Sequence, residues 1–456
     1  MINNEIYTLR DISQQIAVII NIDNQNFLYK IEENAYIPIS KNISNFFRNE
    51  NINITLTGEE LELVGNIKAW INKQGKDNFV GSVPNTYILK LIPTLRCNLN
   101  CSYCFANEKS SDFDMTVETS KTAIDFFLNH FQLSRNCTYV VDLTGAGEPL
   151  LRLDYILEVN KYVKEIENRK KIHIFCQLAT NGMLLTPETS KIIQESGIIF
   201  GVSLDGDKNI SVNRKGLDYE LVEKNINAIT YKDFFGLAAT YDGNNNDIVA
   251  IFKTLNQFEP AVIGIKPVRL NSVIKNAINE ENIDKVLLSY KSFAEYLFDE
   301  LVKNNFSVWQ RFINGEDYFA RFLKIMLRKN RVKYRCAAGV NSFAVDSKGD
   351  ILICPVFTGI KKYKLGSIFE GFNLERLNEI KALYADNIDK CKICWAKNAC
   401  AGECFNVSYI NSGNLNTPNE SMCKLKKYLI QLSMYFWTAL RINQPVLYKY
   451  CKDSIK

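Results

Sequence analysis

Between Asn85 and about Arg269, short runs of β-branched and aromatic residues alternate with stretches whose apolar positions fall at helical spacing. The runs Ile88–Ile92, Thr138–Leu143, Ile172–Ala179, Ile198–Leu204, Phe235–Thr240 and Ala261–Pro267 read as strands. Val117–Phe131, Tyr155–Ile166, Pro187–Glu195, Tyr219–Ala228 and Asp247–Phe258 read as helices between them. Parallel strands need crossovers, so this alternation predicts an α/β fold, a parallel sheet with helices outside. Chemistry in such folds gathers at the carboxyl ends of the strands.

The flanks follow other patterns. Ile16–Asp23 and Phe27–Ile39 read as strands around a turn at 23–26, and Thr57 with Glu60 forms a capping box opening a helix through about Lys73. Residues 1–84 are thus an expected N-terminal α+β domain. Asn276–Asn305 reads as a long helix inside a helical linker, 271–332. The late stretch Tyr428–Ile442 is interrupted by Gln431, Ser433 and Arg441. It is too short to span a bilayer, which takes about 20 apolar residues, and reads as a buried amphipathic helix.

Composition narrows the class. The 456 residues suggest two or three domains, and 46% hydrophobic with 23% charged residues suits a soluble globular chain. A net charge of +5 implies neither nucleic acid nor an anionic membrane as partner. Met1-Ile-Asn-Asn-Glu-Ile shows no basic segment before an apolar core, so no signal peptide is visible. Thirteen cysteines then argue for metal ligation in a reducing cytosol, and a cytoplasmic location is expected.

Arg96–Phe105 reads R-C-N-L-N-C-S-Y-C-F, a loop leaving the first strand. Three thiols can hold one cubic iron–sulfur cluster and leave its fourth iron open. A zinc loop is the alternative for these residues alone. C-x3-C-x2-C with Tyr103 and Phe105 around the last cysteine resembles the signature of radical S-adenosylmethionine (SAM) enzymes. The resemblance implies that Cys97, Cys101 and Cys104 hold a [4Fe–4S] cluster whose open iron chelates SAM. It further implies cleavage of SAM to a 5′-deoxyadenosyl radical, with Tyr103 and Phe105 at the cofactor.

Three later stretches carry the same resemblance. Thr144-Gly-Ala-Gly-Glu-Pro-Leu150 resembles the family's G-G-E-P loop, implying that Gly145, Gly147 and Glu148 hold the SAM amino group. Ala146 stands where the family usually has glycine, so its backbone must avoid positive φ while Gly145 supplies flexibility. Thr180-Asn181-Gly182 resembles the T-N-G turn, and Ser203-Leu-Asp-Gly206 the S-x-D-G stretch whose serine lies near SAM. Relatives commonly have H-D-x-x-R next. Here Ser211 and Val212 replace His and Asp, the segment is one residue shorter, and Arg214 is the residue implied to face the SAM carboxylate.

The C-terminal cysteines run Cys336, twelve residues, Gly349, four residues, Cys354, then Cys391-x2-Cys394-x5-Cys400-x3-Cys404 and Cys423. Zinc usually takes four ligands, seven is an awkward number for it, and His130 and His173 are the only histidines. The pattern resembles the SPASM extension of radical SAM enzymes, which binds two auxiliary [4Fe–4S] clusters, and implies a domain at 333–456. Cys336, Cys354 and Cys404 would hold the inner cluster, and Cys391, Cys394, Cys400 and Cys423 the outer one. Ala337–Phe343 adds no inner ligand, so an open inner iron able to take a substrate thiolate is expected. Of the remainder, Cys137 and Cys176 are expected in the core and Cys451 at the surface. Neither histidine has a partner pattern for acid–base work, and Arg169-Lys170-Lys171 reads as a solvated helix end.

The resemblance implies a partial (β/α)6 radical SAM barrel at 85–270, between the α+β and SPASM domains. The activity expected first is maturation of a ribosomally synthesised peptide, forming a thioether or related crosslink. Expected partners are a peptide or protein substrate and a reductant such as flavodoxin or ferredoxin. The alternative is an anaerobic sulfatase maturase forming formylglycine. In that group an aspartate base follows the G-x4-C cysteine, whereas Pro355-Val356-Phe357 follows Cys354 here. A non-catalytic iron–sulfur or binding protein would not need the SAM motifs. Residues 1–84 loosely resemble leader-recognition domains, which add a peptide as an edge strand; a structural cap is the other reading.

Overall fold

The computed structural model describes residues 6–11, 14–48, 55–73, 79–80, 85–106, 114–131, 133–315 and 317–455. The N-terminal sheet is antiparallel, in the order β1 (Ile6–Asp11), β2 (Gln14–Ile22), β3 (Gln25–Lys30) and β4 (Ala35–Ile39). Asp23 and Asn24, both left-handed at φ 46° and 63°, make the tight turn into β3. The single strand expected through Ile39 is two: Ile31–Glu33 forms a 3-10 turn that Asn34 closes at φ 47°. Alternation splits the faces of this sheet. Ala17, Ile19 and Leu28 pack with Val64 and Ile67 of the helix Gly58–Asn72, while Val18, Ile20, Phe27 and Tyr29 join the main core. The Thr57–Glu60 capping box forms as expected. Lys30 is fully buried, with Nζ donating to Trp70 O at 2.9 Å on the carboxyl end of that helix.

After β5 (Phe79–Val80) come six parallel strands: β6 (Thr86–Leu91), β7 (Thr138–Asp142), β8 (His173–Thr180), β9 (Ile199–Ser203), β10 (Phe235–Tyr241) and β11 (Val262–Pro267). Each expected strand and crossover helix is present, with ends moved by a residue or two, except that the helix Leu153–Lys170 runs four residues past the expected Ile166. Leu89, Val141, Cys176, Val202 and Leu237 lie in the core beneath the helices. The alternate positions, among them Lys90, Asp142, Gln177 and Ser203, face the other side of the sheet.

The long linker helix is shorter than its pattern, spanning Ile283–Val302. Asn282 stops it from starting earlier, accepting from Asn279 N at 3.0 Å and donating to Ala277 O at 2.8 Å. Asn304, left-handed at φ 63°, separates it from Phe306–Ile313, and Tyr318–Arg328 follows. β12 (Arg331–Val332) pairs with β5.

β13 (Ser342–Val345), β14 (Asp350–Leu352), β15 (Lys364–Ser367) and β16 (Gly371–Phe372) complete the second half. β13 lies parallel to β6 on the edge away from β7, and β14–β16 continue antiparallel. One ten-stranded sheet, β11-β10-β9-β8-β7-β6-β13-β14-β15-β16, therefore runs through the barrel and the cysteine-rich region. The late apolar stretch is the helix Glu420–Asn443, buried against Tyr318–Arg328 and Ile283–Val302. Cys451 is buried, not exposed, because the helix Pro445–Ser454 packs back and sets Tyr450 against Phe306, rings tilted at 38°. Among the described residues no helix is long and apolar enough to cross a membrane.

Candidate cofactor and substrate site

The cysteine loop is held at its root and along its length. Thr94 Oγ1 donates to Asp114 at 2.6 Å, Arg96 pairs with the same carboxylate, and Arg152 donates to Pro93 O and Met115 O at 2.9 and 2.7 Å. Further along, Asn100 N donates to Lys215 O and Ser102 N to Asn213 O, both at 2.8 Å. The loop is thus laced to the Arg214 segment in the manner of strand edges. Cys97, Cys101 and Cys104 are free and partly exposed. Burial pushes the Cys101 thiol up, and Cys104 and Cys97 add to it against the pull of Arg214. A bound cation reverses that balance by deprotonating the thiols. The donor set therefore fits a thiolate-held cluster.

The Gly145–Glu148 turn packs on the root of this loop. Gly145 adopts φ 59°, and Ala146 is not left-handed, as expected. A Cβ on Gly147 would lie 2.2 Å from Arg96 O, so only glycine lets the two turns meet. Glu148 N donates to Arg96 O at 2.8 Å. The buried Glu148 carboxylate accepts from Leu150 N, Thr180 Oγ1 and Asn181 N at 3.0, 2.7 and 2.8 Å. It ties the G-A-G-E-P turn to T-N-G, with three of about four lone-pair sites used. Asn181 Nδ2 reaches Asn98 Oδ1 at 2.7 Å and Cys97 Sγ at 4.0 Å, inside the cysteine loop.

Arg214 is buried and donates to Asp205 Oδ1 at 2.8 Å; Tyr103 OH bonds the other oxygen of Asp205. Its guanidinium stands over the Tyr103 ring at 5.7 Å. Arg214 Nε has no partner among the described residues. Asp205 also accepts from Thr240 N at 2.8 Å, fixing the set to β10. Sequence reasoning had Asp205 only as a motif letter, and the structure makes it the centre joining three motifs. Ser203 stands at the end of β9, two residues from it.

Phe105 is half-exposed at the rim of a cleft of about 620 Å³, shared with Leu95, Ala146, Leu352, Pro355 and Val356. The cleft joins the first cysteine loop to the segment after Cys354. On the sheet between them, Lys90 and Asp142 are register partners on β6 and β7. Thr144 N and Oγ1 donate to Asp142 Oδ1 at 3.0 and 2.5 Å. Lys90 lies within the fields of Cys354, Asp142 and Cys336, which outweigh its burial and hold its pKa up. Both were missed, although a charged residue on the alternate face of an apolar strand was a signal.

The C-terminal cysteines fall into two groups. Cys391, Cys394, Cys400 and Cys423 line one small cavity of about 40 Å³. Cys336 lies in the field of Cys404 and Cys354, and Arg269 feels all three. Burial pushes Cys391 up to about 11 and Cys423 up to about 12. Cations surround these thiols. Of these, Lys426 is buried and Arg335 and Arg321 are half-buried; each feels Cys400, and Lys426 Nζ lies 2.9 Å from the buried Glu403. Arg335 Nε has no acceptor among the described residues. A cationic lining with a buried N–H left unmatched is costly, so the surroundings fit negatively charged clusters. Among the described residues no three His, Cys, Asp or Glu side chains converge as a single metal ion requires.

Residues 91–254 match the Radical SAM superfamily. A cysteine-type anaerobic sulfatase-maturating enzyme of Clostridium novyi (strain NT) is 28% identical over 65% of this chain and 82% of its own. The solved structure of native anSMEcpe with bound AdoMet and Cp18Cys peptide superposes with a TM-score of 0.60 at 20% identity, covering 81% of this chain and 99% of the other. That of Streptococcus suis SuiB bound to precursor peptide SuiA does so at 0.51 and 16% identity, covering 87% and 96%. The last two likenesses are of fold.

Proposed function

We infer the reaction from one premise: this chain is a radical SAM enzyme related to the anaerobic sulfatase-maturating enzymes. It is a maturase, and its substrate is a ribosomally synthesised peptide in which it forms a thioether or related crosslink. The cleft between Phe105 and Pro355 carries this reading, since it opens both the first cysteine loop and the Cys354 side to an extended chain. When bound, SAM and the cluster on Cys97, Cys101 and Cys104 supply a 5′-deoxyadenosyl radical that removes hydrogen from an unactivated carbon. Gly145, Gly147, Glu148, Asn181, Ser203, Arg214, Tyr103 and Phe105 form the cofactor's surroundings. Arg214 Nε and the remaining lone pair of Glu148 are the groups left to meet SAM.

Cys336, Cys354 and Cys404 hold an inner auxiliary [4Fe–4S] cluster with one iron open to a substrate thiolate. Cys391, Cys394, Cys400 and Cys423 hold the outer one. A reductant such as flavodoxin or ferredoxin supplies electrons, in the cytoplasm, and the N-terminal sheet offers a leader its edge. A second reading is favoured by the sulfatase-maturating relative: oxidation of a sulfatase Cys or Ser to formylglycine. Against it stands Pro355 after Cys354, where that chemistry places its base.

Mass spectrometry on peptides encoded beside the gene, each coexpressed anaerobically, tests both. Loss of two hydrogens with a cysteine no longer alkylatable supports the crosslink. Unchanged peptides, with aldehyde formed in a coexpressed sulfatase, replace it by the second reading.

A further inference from the structure

The segment that carries the outer cysteines packs on the N-terminal sheet. Tyr29, on β3 and fully buried, sets its ring edge-on against Trp395, 5.6 Å between centroids. Trp395 directly follows Cys394. The Tyr29 hydroxyl donates to Asn34 Oδ1. Asn34 Nδ2 donates to Asn398 O at 3.0 Å and to Asn330 O at 2.5 Å, and Asn398 Nδ2 donates to Ile31 O at 2.9 Å. Asn398 lies in the single helical turn Lys397–Cys400. These amides are buried and consumed by one another, a network that makes the partners rigid. The field of Cys394 reaches the Tyr29 hydroxyl, whose pKa burial has already raised. Finally, the Trp395 Nε1–H is buried with no acceptor among the described residues.

We propose that β3 and the turn after it brace the outer cysteine site from behind its lining, with Tyr29, Asn34 and Trp395 as positioning residues. Asn34 fixes Cys400 through Asn398, Tyr29 fixes the plane of Trp395 beside Cys394, and the indole N–H donates to a sulfur of the iron–sulfur group held there. Such donors raise a cluster's reduction potential. The inference rests on the reading that these four cysteines hold a cluster. It gives the N-terminal sheet a task that leader binding does not explain.

The test uses the full chain, reconstituted anaerobically, with iron content, electron paramagnetic resonance and midpoint potentials as readouts. Asn34→Gly keeps the left-handed turn and deletes the amide; iron falls from about twelve to about eight per chain, the content of two four-iron clusters. Trp395→Phe keeps a ring and removes the donor; iron is unchanged and one midpoint moves to lower potential. Thr57→Ala, in the same domain but away from the cysteines, alters neither. Wild-type iron in Asn34→Gly, or unmoved potentials in Trp395→Phe, overturns the proposal. If the wild-type chain binds only about four irons and Cys391→Ala removes none, the cluster reading itself has failed.

Discussion

The first cysteine loop and the C-terminal cysteines gather thiols by opposite means. The loop sits at the rim of a large cleft, its thiols partly exposed, and its shape is imposed by backbone hydrogen bonds to 213–215 and by Gly147 against Arg96. The outer cysteines, Cys391 buried and the other three partly exposed, line a much smaller cavity, with the buried Lys426 and the half-buried Arg335 behind them. Partners that must enter and leave need the first arrangement. A group that only accepts and passes electrons is better served by the second, where low dielectric and fixed charge set its potential. Each region also carries one buried ion pair, Asp205–Arg214 in the first and Glu403–Lys426 in the second.

The largest effect should come from breaking one side only. Replacing Cys97, Cys101 and Cys104 together by alanine should abolish SAM cleavage while about eight irons remain per chain, read by product chromatography and iron analysis. Cleavage surviving in that variant would remove the distinction. Gly147→Ala should act nearly as strongly, since its Cβ would meet Arg96 O at 2.2 Å. Iron is then expected to fall at the first loop, with the C-terminal spectrum intact.

The ion pairs sharpen the contrast through stability. Asp205→Ala and Lys426→Met each leave a buried charge alone, and each should cost about 3–5 kcal/mol in denaturant melts of the apoprotein. Asp205→Ala should also weaken SAM binding by at least tenfold, while Lys426→Met leaves it unchanged in calorimetry. Equal loss of SAM affinity in both would show that the regions are not separable.

The smallest effect is a pH dependence seated among the linker helices. Asp317 caps the helix Tyr318–Arg328, and burial raises its pKa from 3.8 to about 7, against bonds from Tyr290 OH and Phe319 N. A raised carboxyl binds more protons folded than unfolded, so its contribution falls as pH rises from about 4 to 7 and is flat above. Asp317→Asn should therefore match the wild type at pH 4 and melt higher at pH 8. A difference that does not vary with pH would count against this.

Much of the fold was legible because its signals are local. Period-two runs and crossover helices placed β6–β11 nearly to the residue, and cysteine spacing carried the resemblance from which the ligands are proposed. What stayed hidden depends on contacts between distant segments. No pattern in Ser342–Val345 announces that it pairs with β6, and nothing near Asn34 points to Asn398. Cys451 looked exposed in Lys-Tyr-Cys-Lys because the packing of its helix is tertiary. In the site, the motifs located Glu148, Asn181 and Arg214, but not that Glu148 and Asp205 mainly bind protein donors.

The position of β6 also bears on how the chain is made. It pairs with β7 on one edge, and the strand that covers its other edge emerges only after about three-quarters of the chain has been translated. Until then a nascent barrel presents an unpaired edge directly beside the Cys97 loop. An exposed strand edge is an aggregation hazard, so helpers that load metal or hold nascent chains have their natural window during translation. After β13 docks, the edge is sealed and the two halves are one sheet.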